Sequence, residues 1–212
     1  MALMARGIVA SIVGLAIFLL LVVAQPLIEP AYDPLRQGVS EFLHTDSGWL
    51  DSVGFLAWAS SLAIFAALLV SVTGDAERSS RLPAVALGVA VLGLVLVTIF
   101  PTDRGSAIAA EVVRSTTPGR IHDIGSALVS VGIFAAVLAD GRRRENRVLS
   151  FWVIAVALVC SAVLLLLGDP LPGLRQRCLI AGAALWQLIV LRRLWRVATW
   201  DGSNAGSRCS TS

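Results

Sequence analysis

The sequence predicts an all-α membrane protein: a polytopic transmembrane bundle of six helices with a short interfacial helix in the first outer loop. Hydrophobic residues make up 57% of the 212 residues and charged residues 15%, whereas soluble domains average about 45–50% apolar and about 25% charged residues. The apolar residues form continuous runs, without the alternation typical of strands. All 17 basic residues are arginine, and they punctuate the apolar runs instead of forming a basic face, which argues against a nucleic-acid partner.

Six segments are long enough to cross a membrane, because a span needs about 20 mostly apolar residues. These segments are Ile8–Ile28, Ser52–Thr73, Leu82–Phe100, Ile121–Ala139, Val148–Gly168 and Leu174–Leu191. The first run is longer than the core of a cleaved signal peptide, which favours a retained span. We therefore predict a six-helix transmembrane domain over 1–198. The Gly/Ser/Asn-rich tail over 199–212 is predicted to be disordered.

The arginines also predict the orientation, because cytoplasmic loops are enriched in basic residues. With the N-terminus inside, eleven of the 17 arginines lie on the cytoplasmic side, and the segment 141–147 is the strongest marker. We predict a multi-pass protein of the cell membrane with both termini in the cytoplasm and membrane lipids as partners. Small residues within the spans also permit a homo-oligomer.

The first long outer loop carries polar side chains on a predicted short helix. Asp33-Pro34 is a helix-start signal. Three apolar residues then share one face, as in an amphipathic helix at the membrane interface: Val39, Phe42 and Leu43. The polar side of this helix would present Arg36, Ser40, Glu41 and His44, with Ser40 one helical turn from His44. The helix either contributes to a site or merely covers the end of the bundle.

The second long outer loop runs from the Phe100-Pro101-Thr102-Asp103-Arg104 exit to His122, at the start of the fourth span. An ionisable residue at that depth is a functional candidate, because burying it without compensation is costly. His44 and His122 are the only histidines, and both lie on the predicted outer side. With a carboxylate such as Asp103 they suit zinc or acid/base chemistry. The spacing of a helical metal-ligand pair is absent, so we predict no cofactor and keep zinc as an alternative.

Four outer-side patches, in their order and spacing, resemble the domain-of-unknown-function family numbered 998, a family of six-span prokaryotic membrane proteins. The patches are Tyr32-Asp33-Pro34 with Gly38-Val39-Ser40-Glu41, Phe100-Pro101-Thr102-Asp103, His122, and Gly173-Leu174-Arg175-Gln176-Arg177. The resemblance implies a six-helix fold with a polar outer-leaflet site built from Asp33, Ser40, Asp103, His122 and Arg177. The family is also distantly similar to eukaryotic six-span proteins linked to lipid remodelling and autophagy, which implies a lipid-related role.

Two functions follow from these residues. In the first, an outer-leaflet polar site binds or handles a lipid or amphiphile, and the expected ligand-binding residues are Asp33, Arg36, Glu41, His44, Arg104 and Arg177. In the second, an intramembrane hydrolase or acyl/headgroup transferase uses His122 with Asp103, and Ser40 is the candidate nucleophile. The sequence contains no Gly-x-Ser-x-Gly elbow, phosphate-binding glycine loop or dinucleotide fingerprint. The residues alone leave open whether the protein is an enzyme, a binding protein or a purely structural bundle.

Overall fold

The computed structural model describes residues 2–72, 81–103, 116–141, 147–166, 168 and 170–207. Within these ranges the regular structure is entirely helical and contains no strand, which confirms the all-α prediction for this part of the chain. The helices are α1 (Ala2–Ile28), the short 3₁₀ helix η1 (Val39–His44), α2 (Trp49–Val72), α3 (Leu82–Ile99), α4 (Thr117–Gly141), α5 (Arg147–Leu166) and α6 (Pro172–Ser207).

Five of the α-helices, all except α5, are long and apolar enough to cross a membrane. Many of their outward-facing side chains are large and apolar; Leu20, Val23 and Leu138 are each more than half exposed. Such an exterior suits lipid, whereas soluble proteins rarely expose large apolar areas. The chain is therefore a helical, multi-pass type of membrane protein. Helix α5 has 20 residues, about the length a span needs, and its crossing of the membrane stays a prediction.

The helices pack largely in chain order, each against its neighbour in the sequence, and α6 also packs against α1. The α3–α4 contact is especially close. A Cβ atom on Gly93 would lie 2.7 Å from the Val129 backbone nitrogen. A Cβ atom on Gly132 would lie 2.6 Å from the Ala90 backbone nitrogen. Small residues at such crossings let two backbones approach, which is how helices associate in lipid. These glycines therefore serve the packing of the bundle.

A buried polar cluster joins three helices across the apolar interior. The Ser61 hydroxyl donates to the Ser11 carbonyl at 2.6 Å, and the Gln187 amide nitrogen donates to the Ser61 hydroxyl at 2.7 Å. Polar groups buried in this way need partners, so the three side chains favour one register of α6 against α1 and α2. This register places the N-terminus of α6 at the end of the bundle where the polar residues collect.

Two boundaries differ from the sequence prediction. Residues 34–36 form a turn, and the helix of the first loop begins at Val39 instead of at Asp33-Pro34. The Asp33 carboxylate accepts a hydrogen bond from the Leu35 backbone nitrogen at 2.9 Å, so it stabilises the turn locally instead of capping a helix. Helix α6 runs from Pro172 to Ser207 and is longer than the predicted span Leu174–Leu191; the domain boundary at 198 and the disorder of the tail over 199–212 stay predictions.

Candidate functional site

The candidate site lies at the end of the bundle where α1 and α3 end and α2, α4 and α6 begin. The first loop crosses this end, and its 3₁₀ helix η1 contacts both α2 and α6. Two residues of η1, Val39 and Phe42, are almost completely buried. Burial of these two side chains holds the polar residues of η1 against the helix ends.

Arg177, in the first turns of α6, clamps the first loop to the bundle. One of its terminal nitrogens, Nη1, donates to the carbonyl oxygens of Pro34 at 2.6 Å and Gln37 at 3.0 Å. The other, Nη2, donates to the Tyr32 hydroxyl at 2.7 Å and to the Gln25 side-chain oxygen at 3.0 Å. A planar guanidinium suits several acceptors in fixed positions. The structure therefore places Arg177 in the support of the loop, with both of its terminal nitrogens engaged by the protein.

Tyr32 extends this clamp. Its hydroxyl accepts from Arg177 and donates to the Gly38 carbonyl at 2.8 Å, just before η1. The ring packs edge-on against Phe42, with 5.4 Å between the ring centres. Burial raises the pKa of Tyr32 to about 12, although Arg177 acts in the opposite direction. The neutral phenol is thus strongly favoured, and it remains able to donate to the loop.

The N-terminus of α6 lies directly against the first loop. A Cβ atom on Gly173 would collide with the Gln37 carbonyl oxygen and would lie 2.6 Å from the Pro34 carbonyl oxygen. Next to this contact, the Leu174 nitrogen donates to the Leu35 carbonyl at 2.9 Å. The Gln176 side-chain oxygen accepts from the Val39 nitrogen at 2.7 Å. Glycine at 173 is needed because any side chain would separate the two backbones.

Gln25 and Asp51 belong to the same network, although neither is among the predicted site residues. The Gln25 amide nitrogen donates to Asp51 at 3.0 Å, while its oxygen accepts from Arg177. Both side chains are buried, and the second Asp51 oxygen, Oδ2, has no hydrogen-bond partner among the described residues. A signal was present in the sequence: Gln25 is a polar residue inside an apolar run, and it directly precedes Pro26.

His122 and Ser40 form a buried hydrogen-bonded pair. His122 is 2% exposed and Ser40 8%, and the Nε2 atom of His122 lies 3.1 Å from the Ser40 hydroxyl oxygen. The other ring nitrogen, Nδ1, lies 2.8 Å from the carbonyl oxygen of Phe100 at the end of α3. A carbonyl only accepts, so Nδ1 carries a proton. The pair therefore joins η1 to the ends of α3 and α4.

His44 is directed to another partner. Its Nε2 donates to the Thr102 carbonyl at 2.6 Å, whereas Ser40 bonds to His122. The expected proximity of Ser40 and His44 assumed an α-helix, in which residues four apart are neighbours. In a 3₁₀ helix the residues three apart eclipse instead. The two side chains are therefore directed differently.

Asp103 caps the start of α4. Its carboxylate accepts from the Thr116 hydroxyl at 2.6 Å and from the Thr116 backbone nitrogen at 2.9 Å. The Thr116 hydroxyl in turn accepts from the Gly119 nitrogen at 3.1 Å. The hydroxyl and backbone bonds from Thr116 lower the pKa of Asp103, and His44 and His122 contribute smaller effects in the same direction. The carboxylate is thus directed to a helix start, and no hydrogen bond joins it to His122 in the described structure.

The remaining charged side chains of the first loop act locally. Asp33 and Arg36 approach each other at 3.7 Å as a largely exposed ion pair, a type that contributes little to stability. Glu41 accepts from the Gly38 backbone nitrogen at 2.9 Å and so stabilises the start of η1. Arg104, the other predicted ligand-binding residue, lies outside the described residues.

Two adjoining spaces open beside Ser40. The polar cavity has a volume of about 300 Å³, and its walls include Ser40, Glu41, Thr102, His122, Arg175 and Gln176. The apolar cleft has a volume of about 120 Å³, and its walls include Phe55, Trp58, Leu94, Val129, Phe134 and Ile180. Four residues line both spaces: Ser40, Ser126, Gln176 and Leu179. The two spaces therefore meet at these residues.

The predicted site residues thus divide into two groups. Ser40, Glu41 and His122 line the polar cavity. The other described ones make protein contacts outside its walls: Asp33, Arg36, His44, Asp103 and Arg177. Arg175 and Gln176, which the sequence analysis noted only as part of a motif, line the cavity instead. Among the described residues, no three His, Cys, Asp or Glu side chains are grouped so that they could hold a metal ion.

Comparison with known proteins places the chain in a family. No curated protein and no solved structure matches it. Residues 12–193 match the family described as "Protein of unknown function (DUF998)". This match includes Ser40, His122 and Arg177, and it agrees with the resemblance carried by the four outer-side patches. The chain belongs to the DUF998 family.

Proposed function

We propose that the protein binds an amphiphile whose polar group lies in the polar cavity and whose apolar chain enters the apolar cleft. The observation that carries this proposal is the shared wall of the two spaces, formed by Ser40, Ser126, Gln176 and Leu179. Ligand sites are mostly apolar with a few polar groups that orient the ligand. A site divided into a polar and an apolar part suits a molecule divided in the same way, and in a membrane protein this class includes lipids.

The walls of the two spaces narrow the class of ligand. The cleft, at about 120 Å³, is comparable to an apolar cavity of about 150 Å³ that holds one benzene molecule. It therefore suits a short apolar segment. Among the described residues, the walls of the polar cavity carry one cation, Arg175, and two carboxylates, Glu41 and Asp123. A zwitterionic group with a phosphate and an ammonium matches this charge pattern best.

The surrounding residues have supporting roles in this proposal. Arg177 holds the first loop in the conformation that forms the cavity, and His44 and Asp103 hold the ends of α3 and α4. Glu41 is the predicted ligand-binding residue that contacts the ligand. A contribution from Arg104 stays a prediction.

We also propose the arrangement of the chain in the membrane. All six α-helices cross it, including α5, and the polar cavity faces the outer leaflet with η1 in the interface. Support for this comes from the arginines, since eleven of the 17 would then be cytoplasmic. Both termini are cytoplasmic in this arrangement.

Native mass spectrometry of the purified protein with a short-chain lysophosphatidylcholine tests the binding proposal. We expect a bound lysolipid on the wild type. Ser126→Phe should reduce the bound fraction at least tenfold, because the larger ring fills the passage between the two spaces.

Ser71→Phe is the matched control. Ser71 lies near the opposite end of α2, and within the described part of the chain its hydroxyl bonds to the Leu68 carbonyl of its own helix, so this variant should bind like the wild type. Equal lysolipid binding by wild type and Ser126→Phe would overturn the proposed site, as would no binding by the wild type.

A further inference from the structure

The direction of the hydrogen bond between Ser40 and His122 follows from the partner of the other ring nitrogen, the Phe100 carbonyl. Because Nδ1 donates to the Phe100 carbonyl, the neutral imidazole carries its lone pair on Nε2. The Ser40 hydroxyl then donates to Nε2 across 3.1 Å. This is the arrangement of an activated nucleophile: a hydroxyl, a base within hydrogen-bond reach, and a third group that orients the base. Here the third group is a backbone carbonyl.

The position of Ser40 gives this pair access to a ligand. Ser40 lies in the wall shared by the polar cavity and the apolar cleft. An ester bound across that wall, with its acyl chain in the cleft and its alcohol part in the cavity, would have its carbonyl carbon beside the Ser40 hydroxyl. Holding the reacting groups together in this way is a large part of enzymatic rate acceleration.

Gln176 supplies a candidate donor for the ester oxygen. Its side-chain oxygen accepts from the Val39 nitrogen at 2.7 Å. The amide nitrogen of Gln176 is therefore directed away from Val39. Gln176 lines both spaces. Side-chain amides serve as such donors where negative charge develops on an acyl oxygen.

We propose that Ser40 and His122 hydrolyse acyl esters of amphiphiles, an inference that rests on the proposed binding site. The Ser40 oxygen attacks the ester carbonyl carbon, and its proton passes to Nε2 of His122. The carbon–oxygen bond to the alcohol breaks, and the alcohol leaves with that proton. Water then attacks the acyl-Ser40 ester, His122 transfers the water proton to the Ser40 oxygen, and the carboxylic acid leaves.

Covalent labelling of the full-length purified protein tests the nucleophile. We expect a fluorophosphonate probe to label the wild type at Ser40, as located by peptide mass spectrometry. The same protein should hydrolyse p-nitrophenyl butyrate, whose short acyl chain fits the cleft. Ser40→Ala and His122→Gln should each lower labelling and hydrolysis at least 100-fold, since proton transfer by a positioned base contributes about 10²–10⁴-fold. Ser71→Ala should retain both.

A second variant separates chemistry from folding. Ser40→Cys keeps a nucleophile in place, and we expect iodoacetamide to alkylate it at least tenfold faster than the double variant with His122→Gln. Alkylation at equal rates would overturn the proposal and leave the Ser40–His122 bond as a structural link, as would a wild type that is unlabelled at Ser40.

The two proposals fail in different ways. A wild type that binds lysophosphatidylcholine yet shows neither labelling nor hydrolysis refutes the ester chemistry and leaves the binding site standing. Labelling of Ser40 without any bound lysolipid, and with Ser126→Phe as active as the wild type, refutes the amphiphile site instead. Because the ester inference needs that site for its substrate class, this second result would also overturn it.

Discussion

Replacing Arg177 by Met removes the clamp on the first loop while keeping a long apolar stem. A hydrogen bond from a charged donor contributes roughly 1.5–3 kcal/mol. Arg177 makes two short bonds, to the Pro34 carbonyl at 2.6 Å and the Tyr32 hydroxyl at 2.7 Å, and longer ones to Gln37 and Gln25. At that figure the two short bonds together contribute roughly 3–6 kcal/mol. We expect Arg177→Met to lower the free energy of unfolding by this amount.

Thermal unfolding in one detergent, followed by tryptophan fluorescence, measures the effect. About 1 kcal/mol corresponds to roughly 2–4 °C in Tm for a chain of this size, so Arg177→Met should lose roughly 6 °C or more. Arg177→Lys should show much of this loss, because an ammonium keeps the charge but not the planar set of donors. Arg196→Met, at an exposed position of the same helix, is the control. Equal Tm values for Arg177→Met and this control would refute the clamp.

Three further predictions concern the same end of the bundle. Tyr32 is the only tyrosine, so the absorbance of tyrosinate should titrate with a midpoint at a pH of about 12 instead of 10.0. The free energy of unfolding should fall between these two pH values, because the tyrosine of the unfolded chain ionises first. A midpoint near 10 would contradict the burial of the hydroxyl. Asp103→Asn should lower Tm at neutral pH, and the difference in Tm from the wild type should disappear as the pH falls below about 3.8. The pKa of Asp103 is lowered in the folded protein, so its stabilising effect is lost when the carboxylate protonates. A difference in Tm that persists in acid would exclude the carboxylate charge as the cause. Gly173→Ala should lower the free energy of unfolding by about 1–3 kcal/mol in a denaturation experiment, because the added methyl group overpacks the contact. Gly182→Ala is the control, since its added Cβ has its nearest neighbour at 3.9 Å and should change the free energy of unfolding little. Equal losses in the two variants would contradict the close backbone contact.

The helices themselves could be predicted from the sequence because their cause is local. An apolar run such as Leu82–Phe100 must satisfy its backbone polar groups within the segment once it lies in lipid, and a helix does so. The structure has α3 at Leu82–Ile99, within one residue of that prediction. The first loop was harder, since Asp33-Pro34 is equally suited to a turn and to a helix start. Contacts with Leu35 and Gln37 at this loop made it a turn.

The members of the candidate site could be predicted better than their pairing. Ser40 and His122 were both candidates by residue type and predicted depth, but they are 82 positions apart in the chain. Asp103 lies closer in sequence to His122 and was the expected partner. In the structure its carboxylate accepts from the backbone N–H and the hydroxyl of Thr116, just before α4, where negative charge is favoured. The spacing of residues in the sequence does not show whether Asp103 bonds to His122 or to the start of α4.

The sequence by itself determined the class of protein, the helix positions and the end of the bundle where the polar residues collect, since each depends on local hydropathy or on short motifs. The tertiary structure decided which of those residues meet. It directed Arg177 into the support of the loop, joined His122 to Ser40, and brought Gln25 and Asp51 into the same network. The physical reason is that a hydrogen bond depends on distances within about 3 Å and on direction. Those are set by how α2 and α6 pack against the 3₁₀ helix and by where the ends of α1, α3 and α4 lie beside it.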